Sequence, residues 1–412
     1  MANYKEKPKK KTASRNIALD KLDFYTEPAP KKKKQDKIKG RPQNIFVRFA
    51  EAAFPQKRDS KGEKIRKIVM LVLIVVFAVS IGYLLFQLTS IKDGSEANKQ
   101  TQSLAGVDSG TIDMDDFTPP EIIISTTTSG TGSSTAGTDA TTETEEPKET
   151  EEINVTPLVN TPINANFDAL LAENPDTRGW IKIQGTYLNH VVVQSKDNDY
   201  YLHRDFYGNE TLSGTIFSHY KNKWDGTDQN LILFGHNMID GDCFATVRYY
   251  LPNDRSREPV KFYKVHPTVM IETPDGKTHI YKIFAGVLAN TQKEYGEVFR
   301  YVNKTKFKSQ NDFNNFIVEI MDRSWFHTDV DLQYGDKLLT LSTCYWPLGQ
   351  EVDTRWVVFA REVRPGESEY VDTSVATRNY NPKLFDYYYS IIGSQWYGST
   401  WDKSKLLGYT GE

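Results

Sequence analysis

Residues 68–88 form an unbroken, uncharged run of 21 largely apolar positions, IVMLVLIVVFAVSIGYLLFQL. At about 1.5 Å per residue, a helix of that length spans roughly 31 Å, enough to cross the hydrocarbon core of a bilayer. The charged stretch before it is long and no small-x-small cleavage pattern follows, so the run reads as an uncleaved anchor over residues 67–88. Beyond it the pattern is lost. Residues 92–160 are Thr, Ser, Gly and Glu in low complexity, with too little apolar surface to offset the entropy of ordering, which predicts a solvated stalk over 89–162.

Periodicity returns near Ile163. Phe167, Leu170 and Leu171 mark a short helix that ends at Asn174-Pro175, and eight short β-rich runs follow, at 179–183, 191–194, 214–218, 230–234, 268–272, 279–288, 337–343 and 356–362. Turns rich in Gly, Asn and Asp separate them, as in Thr273-Pro274-Asp275-Gly276. Eight short strands in one unit predict a mainly-β fold, a closed or nearly closed eight-stranded barrel. Residues 309–326 follow a different period. Phe313, Phe316, Ile317, Ile320 and Met321 fall at i, i+3, i+4, i+7 and i+8, and Ser309 with Asp312 offers a capping pair, so a long helix is expected between the sixth and seventh strands. The domain is bounded at 163–364. An extension over 365–412, rich in Tyr and Trp, is expected to pack onto the barrel because aromatics favour burial, although covering a groove or binding polysaccharide are the alternatives.

Charge adds an orientation. Residues 1–67 carry 21 Lys and Arg against 8 Asp and Glu, whereas residues 92–160 carry 3 against 14. Lys and Arg concentrate on the cytoplasmic side of a membrane helix, so the N-terminal segment 1–66, basic and expected to be largely disordered, is placed in the cytoplasm and everything after the anchor outside. The basic residues before the anchor are suited to anionic lipid headgroups, and no nucleic-acid partner is expected.

Candidate chemistry gathers at two strand ends. Cys344 closes the run Thr340-Leu341-Ser342-Thr343-Cys344, and Arg355 opens the next run eleven residues later. A thiol and a guanidinium on adjacent strands provide a nucleophile and a fixed cation for the oxyanion of acyl transfer. His236, just after the run 231–234, is the candidate acid or base. A buried strand thiol with no chemistry is the ordinary alternative for a lone Cys. The chain has 2 Cys, too few for a disulfide scaffold. Cys243 could pair with Cys344 and silence it, but its neighbours Phe244, Val247, Tyr250 and Leu251 have helical spacing, so Cys243 reads as a packing residue. The remaining histidines, 190, 203, 219, 266, 279 and 327, lack the spacing of metal ligands, and neither metal nor cofactor is expected. His219, after the run 214–218, is the nearest rival to His236.

The segments NPDTRGWIKI (174–183), KDNDYYL (196–202), LILFGHNM (231–238), TLSTC (340–344) and DTRWVVFARE (353–362) resemble the class B sortases, membrane-bound cysteine transpeptidases of Gram-positive bacteria. The similar segments span about residues 164 to 363. The resemblance implies the sortase barrel, with Cys344 as nucleophile, His236 as acid and base, Arg355 on the oxyanion or substrate carbonyl, and Ser342 as a substrate contact. It further implies cleavage after Thr in a C-terminal sorting signal of NPxTN or LPxTG type on a surface protein, through a thioacyl intermediate, and transfer to a peptidoglycan amine. A pilin polymerase with a Lys amine as acceptor, a peptidoglycan L,D-transpeptidase, whose usual S-H-G-C-type motif is absent, and a non-enzymatic anchored adhesin are the competing readings.

Overall fold

The computed structural model describes residues 53–107, 156–253 and 256–409. Most of the basic N-terminal segment and the central part of the expected stalk lie outside the described residues. The chain divides into two units, within its first helix, between Ala78 and Val79.

That helix, α1 (Lys61–Ala105), is the one helix among the described residues long and apolar enough to cross a membrane. Ser60 accepts from the Glu63 amide at 3.2 Å at its start, and its apolar side chains Val72, Leu73, Val75 and Phe77 stand exposed, as a lipid-facing surface requires. In the first unit, Lys67 is buried and tied to Asp59 at 2.9 Å. α1 continues to Ala105, into the segment read from sequence as stalk. Once a helix exists, each further residue adds a hydrogen bond at little cost, and no Pro interrupts it before Pro119. Within the second unit its later turns meet the domain: Gln102 donates to the Asn189 carbonyl at 2.8 Å, and the Asn166 amide to the Ala105 carbonyl at 2.9 Å.

The second unit is built on a closed barrel. A short α2 (Phe167–Glu173), capped by Asn166, precedes β1 (Thr177–Lys182), β2 (Asn189–Val193), β3 (Phe217–Ser218), β4 (Asn230–Phe234), α3 (Lys261–Val265), β5 (Thr268–Glu272) and β6 (Thr278–Asn290). Then come α4 (Gln310–Arg323), β7 (Phe326–His327), β8 (Leu332–Gln333), β9 (Leu338–Cys344), β10 (Thr354–Glu362), β11 (Thr377–Arg378), α5 (Asp386–Ile392) and β12 (Leu406–Leu407). The barrel closes in the order β1-β2-β3-β4-β9-β10-β6-β5. Its eight strands match the eight runs expected from sequence, and α4 lies between the sixth and seventh of them, as expected.

β10 shows why its sequence is nearly all apolar. Trp356, Val358 and Ala360 point into the barrel, while Val357 and Phe359 point outward into a second core with Phe313, Phe316 and Ile317 of α4. A strand covered on both faces needs apolar side chains at both parities. The amphipathic stripe of α4 is buried throughout, and Ser309 caps it by accepting from the Asp312 amide at 3.2 Å.

The C-terminal extension packs back on both cores, Val371, Trp401 and Leu406 on the outer one and Phe385 and Tyr388 on the cluster that includes Trp356. β11 pairs with β7 and β12 with β8, forming two small sheets that periodicity had not suggested, and Val371, Phe385, Tyr388, Trp401 and Leu406 are buried. Its root is ionic. Arg361, 1% exposed, is paired with Asp331 at 2.6 Å and with Glu367 at 2.7 Å. A buried guanidinium is costly unless every donor is met, so Glu367 completes a requirement of the last barrel strand.

Candidate active site

Three strands assemble the site. In the antiparallel ladder of β9 and β10, Cys344 lies directly opposite Arg355. Residues opposite one another in such a ladder share a face, with β-carbons about 4.5–5.5 Å apart. On the other side of β9, β4 runs parallel, with Phe234 in register with Ser342. The ladder is extended by Gly235, whose amide donates to the Ser342 carbonyl at 3.3 Å and whose carbonyl accepts from Thr343 Oγ1 at 2.8 Å. The next residue is His236, delivered to the rim that carries Cys344.

Gly235 is required by packing. A β-carbon there would lie 2.9 Å from the Phe244 ring and 3.3 Å from Ile216, so the chain passes from β4 to His236 only without a side chain. His236 Nε2 is 2.8 Å from the Leu202 carbonyl, and Asn237 Nδ2 donates to the Cys344 carbonyl at 3.2 Å. The loop bearing the histidine is thereby tied to the strand bearing the thiol.

The electrostatics keep both groups neutral at rest. Burial pushes the Cys344 thiol above its ordinary 9.0, outweighing the pull of Arg355. Burial, with the nearby His203 and Arg355, lowers His236 below 6.5 despite its bond to Leu202. Arg355 acts on both, so its charge lies near each. Its guanidinium is held by Asp353, which also accepts from Trp346 Nε1 at 3.1 Å and Thr291 Oγ1 at 2.7 Å. Burial alone would raise the Asp353 carboxyl, but these bonds hold it below the usual range.

Ser342 lies two residues before Cys344 on the same face, but its side chain is 3% exposed and bonded to Tyr301 at 2.8 Å. Burial raises the Tyr301 phenol to about 12, so it remains a neutral hydroxyl under the thiol. Cys243 is buried, unpaired, and bonds the Ser213 carbonyl at 3.3 Å, so the two thiols stay separate. His219 is 2% exposed and stacked on Tyr220, with its Nδ1 accepting from the Lys221 amide. Among the described residues no group of side chains is disposed to hold a metal ion. Sequence reasoning did not find Asp353, Tyr301 or Asn237. Asp353 stood inside the DTRWVVFARE segment, but only the ion pair in the folded chain shows that it holds Arg355.

Residues 181–363 match the family model described as the sortase domain. The chain is 33% identical over 186 residues to sortase B of Listeria monocytogenes serovar 1/2a, covering 45% of this chain and 70% of that protein. Its identity to sortase B of Staphylococcus aureus strain NCTC 8325 is 30% over 202 residues, covering 49% and 76%. The chain belongs to the class B sortases. Among solved structures, Clostridium perfringens sortase B is 32% identical, with a TM-score of 0.42, covering 48% of this chain and all of that one. As a sortase the chain is a cysteine transpeptidase of cell-wall anchoring, and its membrane-competent helix fits an anchored enzyme.

Proposed function

We propose that this sortase cleaves a C-terminal sorting signal of NPxTN or LPxTG type after its Thr and joins the new carboxyl end to a peptidoglycan amine. The Cys344 sulfur attacks the Thr carbonyl carbon and the peptide C–N bond breaks, leaving a thioacyl ester on Cys344. His236, as imidazolium, protonates the departing amine, and as imidazole it takes the proton of the incoming one. Arg355 donates to the oxyanion of each tetrahedral intermediate, held in aim by Asp353. The exchange of one amide for another needs no ATP. Ser342, buried and spent on Tyr301, supports the strand that carries Cys344 and is not a free donor for substrate.

The excess of Lys and Arg before the membrane-competent helix supports a cytoplasmic N-terminal segment and a barrel outside, on the side where surface proteins and peptidoglycan precursors meet. The observation that supports the catalytic reading best is the placement of Cys344 opposite Arg355 on one face of the β9–β10 ladder, with His236 carried to the same rim by β4. The test is mass spectrometry of full-length protein incubated with a sorting-signal peptide. A covalent adduct on Cys344, released by an added amine as a new amide, is expected. Peptide cleavage with no adduct, or an adduct on Cys243, would refute the assignment.

A further inference from the structure

The loop between β6 and α4 borders the site at both its ends. At one end, Thr291 Oγ1 donates to Asp353 at 2.7 Å and Gln292 Oε1 accepts from the Asp353 amide at 2.7 Å, so the loop holds the carboxylate that holds Arg355. At the other, Tyr301 bonds Ser342 beneath Cys344. Between these ends the barrel holds the loop through Asn290 of β6, whose Nδ2 donates to the Gly296 carbonyl at 3.3 Å and the Glu297 carbonyl at 3.4 Å, and through Phe299, which packs on Phe359 of β10. The same stretch also rests on the C-terminal extension.

Three contacts make that seat. Glu297 pairs with Lys383 of the extension at 3.1 Å and with Arg323 of α4 at 2.9 Å. Tyr295 packs on Tyr387 of α5 with ring centroids 5.0 Å apart. Gly296, at φ 121°, lies so close to the start of α5 that a β-carbon would sit 2.7 Å from the Asp386 backbone nitrogen. Lys383 is itself fixed, its amide donating to the Asp322 carbonyl at 2.7 Å. An ion pair, an aromatic contact and a backbone close approach, all on the three consecutive loop residues 295–297, are more than an aromatic tail needs merely to bury itself.

We infer that the segment 379–392 of the C-terminal extension is a clamp on the loop 291–303, and that Lys383 and Tyr387 are positioning residues that act through Glu297, the loop and Asp353 to aim Arg355 at the reacting carbonyl. This rests on the catalytic role of Arg355 proposed above. A guanidinium whose carboxylate partner is no longer fixed swings on a long flexible side chain, and a misaim of about 1 Å can lower a rate by up to about a hundredfold.

The test uses full-length protein in detergent micelles, with Lys383→Met, Lys383→Arg and Tyr387→Ala, each also in an Arg355→Lys background. Cleavage of an NPxTN peptide is measured per Cys344 thiol that reacts with iodoacetamide. Lys383→Met and Tyr387→Ala are expected to lower kcat about tenfold with little change in KM. Lys383→Arg should keep most of the activity. Cys344 alkylation in Lys383→Met should need higher pH than in wild type, because the guanidinium no longer draws on the thiol. In the Arg355→Lys background, Lys383→Met should add little. If Lys383→Met lowers the melting temperature but leaves kcat per reactive thiol and the alkylation profile unchanged, the extension only stabilises the fold and the clamp is refuted. Full additivity with Arg355→Lys would refute it too. Should wild-type protein fail to cleave the peptide, the proposed substrate is wrong, and the alkylation profiles still decide for or against the clamp.

Discussion

Asp353 pairs with the guanidinium of Arg355 from two residues away on the approach to β10, so the cation opposite Cys344 is held before any substrate arrives. A planar fork can keep one edge on the carboxylate and present the other to an oxyanion, whereas an ammonium cannot. Arg355→Lys is therefore expected to lower kcat/KM by the equivalent of about 3–4 kcal/mol, the scale of losing an oxyanion donor. Asp353→Asn should cost less, since the fork remains but is less firmly aimed. Steady-state kinetics on a sorting-signal peptide check both, and near wild-type turnover of Arg355→Lys would remove Arg355 from the catalytic set.

The opposed shifts of Cys344 and His236 set the pH profile. The ordinary values, 9.0 and 6.5, are already 2.5 pH units apart and burial separates them further, so fewer than about one molecule in 300 carries the thiolate and imidazolium together. Activity requiring that pair rises through an apparent pKa below 6.5 and falls through one above 9.0. A bell with its optimum between those limits is expected in kcat/KM. Iodoacetamide alkylation of Cys344 should have its midpoint above 9.0, and Arg355→Ala should move it higher by removing the cation that opposes the rise.

The two cysteines should separate cleanly. Cys344→Ala is expected to abolish both peptide cleavage and the thioacyl adduct while leaving the melting temperature close to wild type. Cys243→Ala should keep activity and lose about 1 kcal/mol of stability, the scale of a small buried apolar group. Chemical denaturation with a peptide assay on each variant distinguishes them.

His279 gives a stability signature away from the site. Its hydrogen bond to Glu362 at 2.6 Å, with that carboxylate's charge, raises it above 6.5 against the effect of burial. The folded state then binds the proton more tightly than the unfolded one, so the stabilisation is complete below pH 6.5 and lost as pH rises through the raised value. His279→Gln should melt earlier than wild type below pH 6.5, and the two melting curves should converge at alkaline pH. A constant gap at all pH values would assign the loss to packing instead.

The barrel strands were legible because each is a short β-rich run closed by Gly, Asn or Asp, and α4 because its stripe has a helical period; both are local patterns. The membrane-competent helix was legible from the length and hydropathy of its apolar run alone. Cys344, His236 and Arg355 were legible as strand-end residues in family contexts, since each side chain is set by the motif that carries it. By contrast, the small sheets β11–β7 and β12–β8, and the contacts of Asp353 with Thr291, Tyr301 with Ser342 and Lys383 with Glu297, depend on segments far apart in the chain. Thr291 meets Asp353 across 62 residues and Lys383 meets Glu297 across 86, and no periodicity records such a pairing. The sequence by itself determined which residues could do the chemistry, because side-chain type and strand position are local properties. Only the tertiary structure decided what aims them, because closing the barrel and docking the C-terminal extension bring together charges that chain order keeps apart.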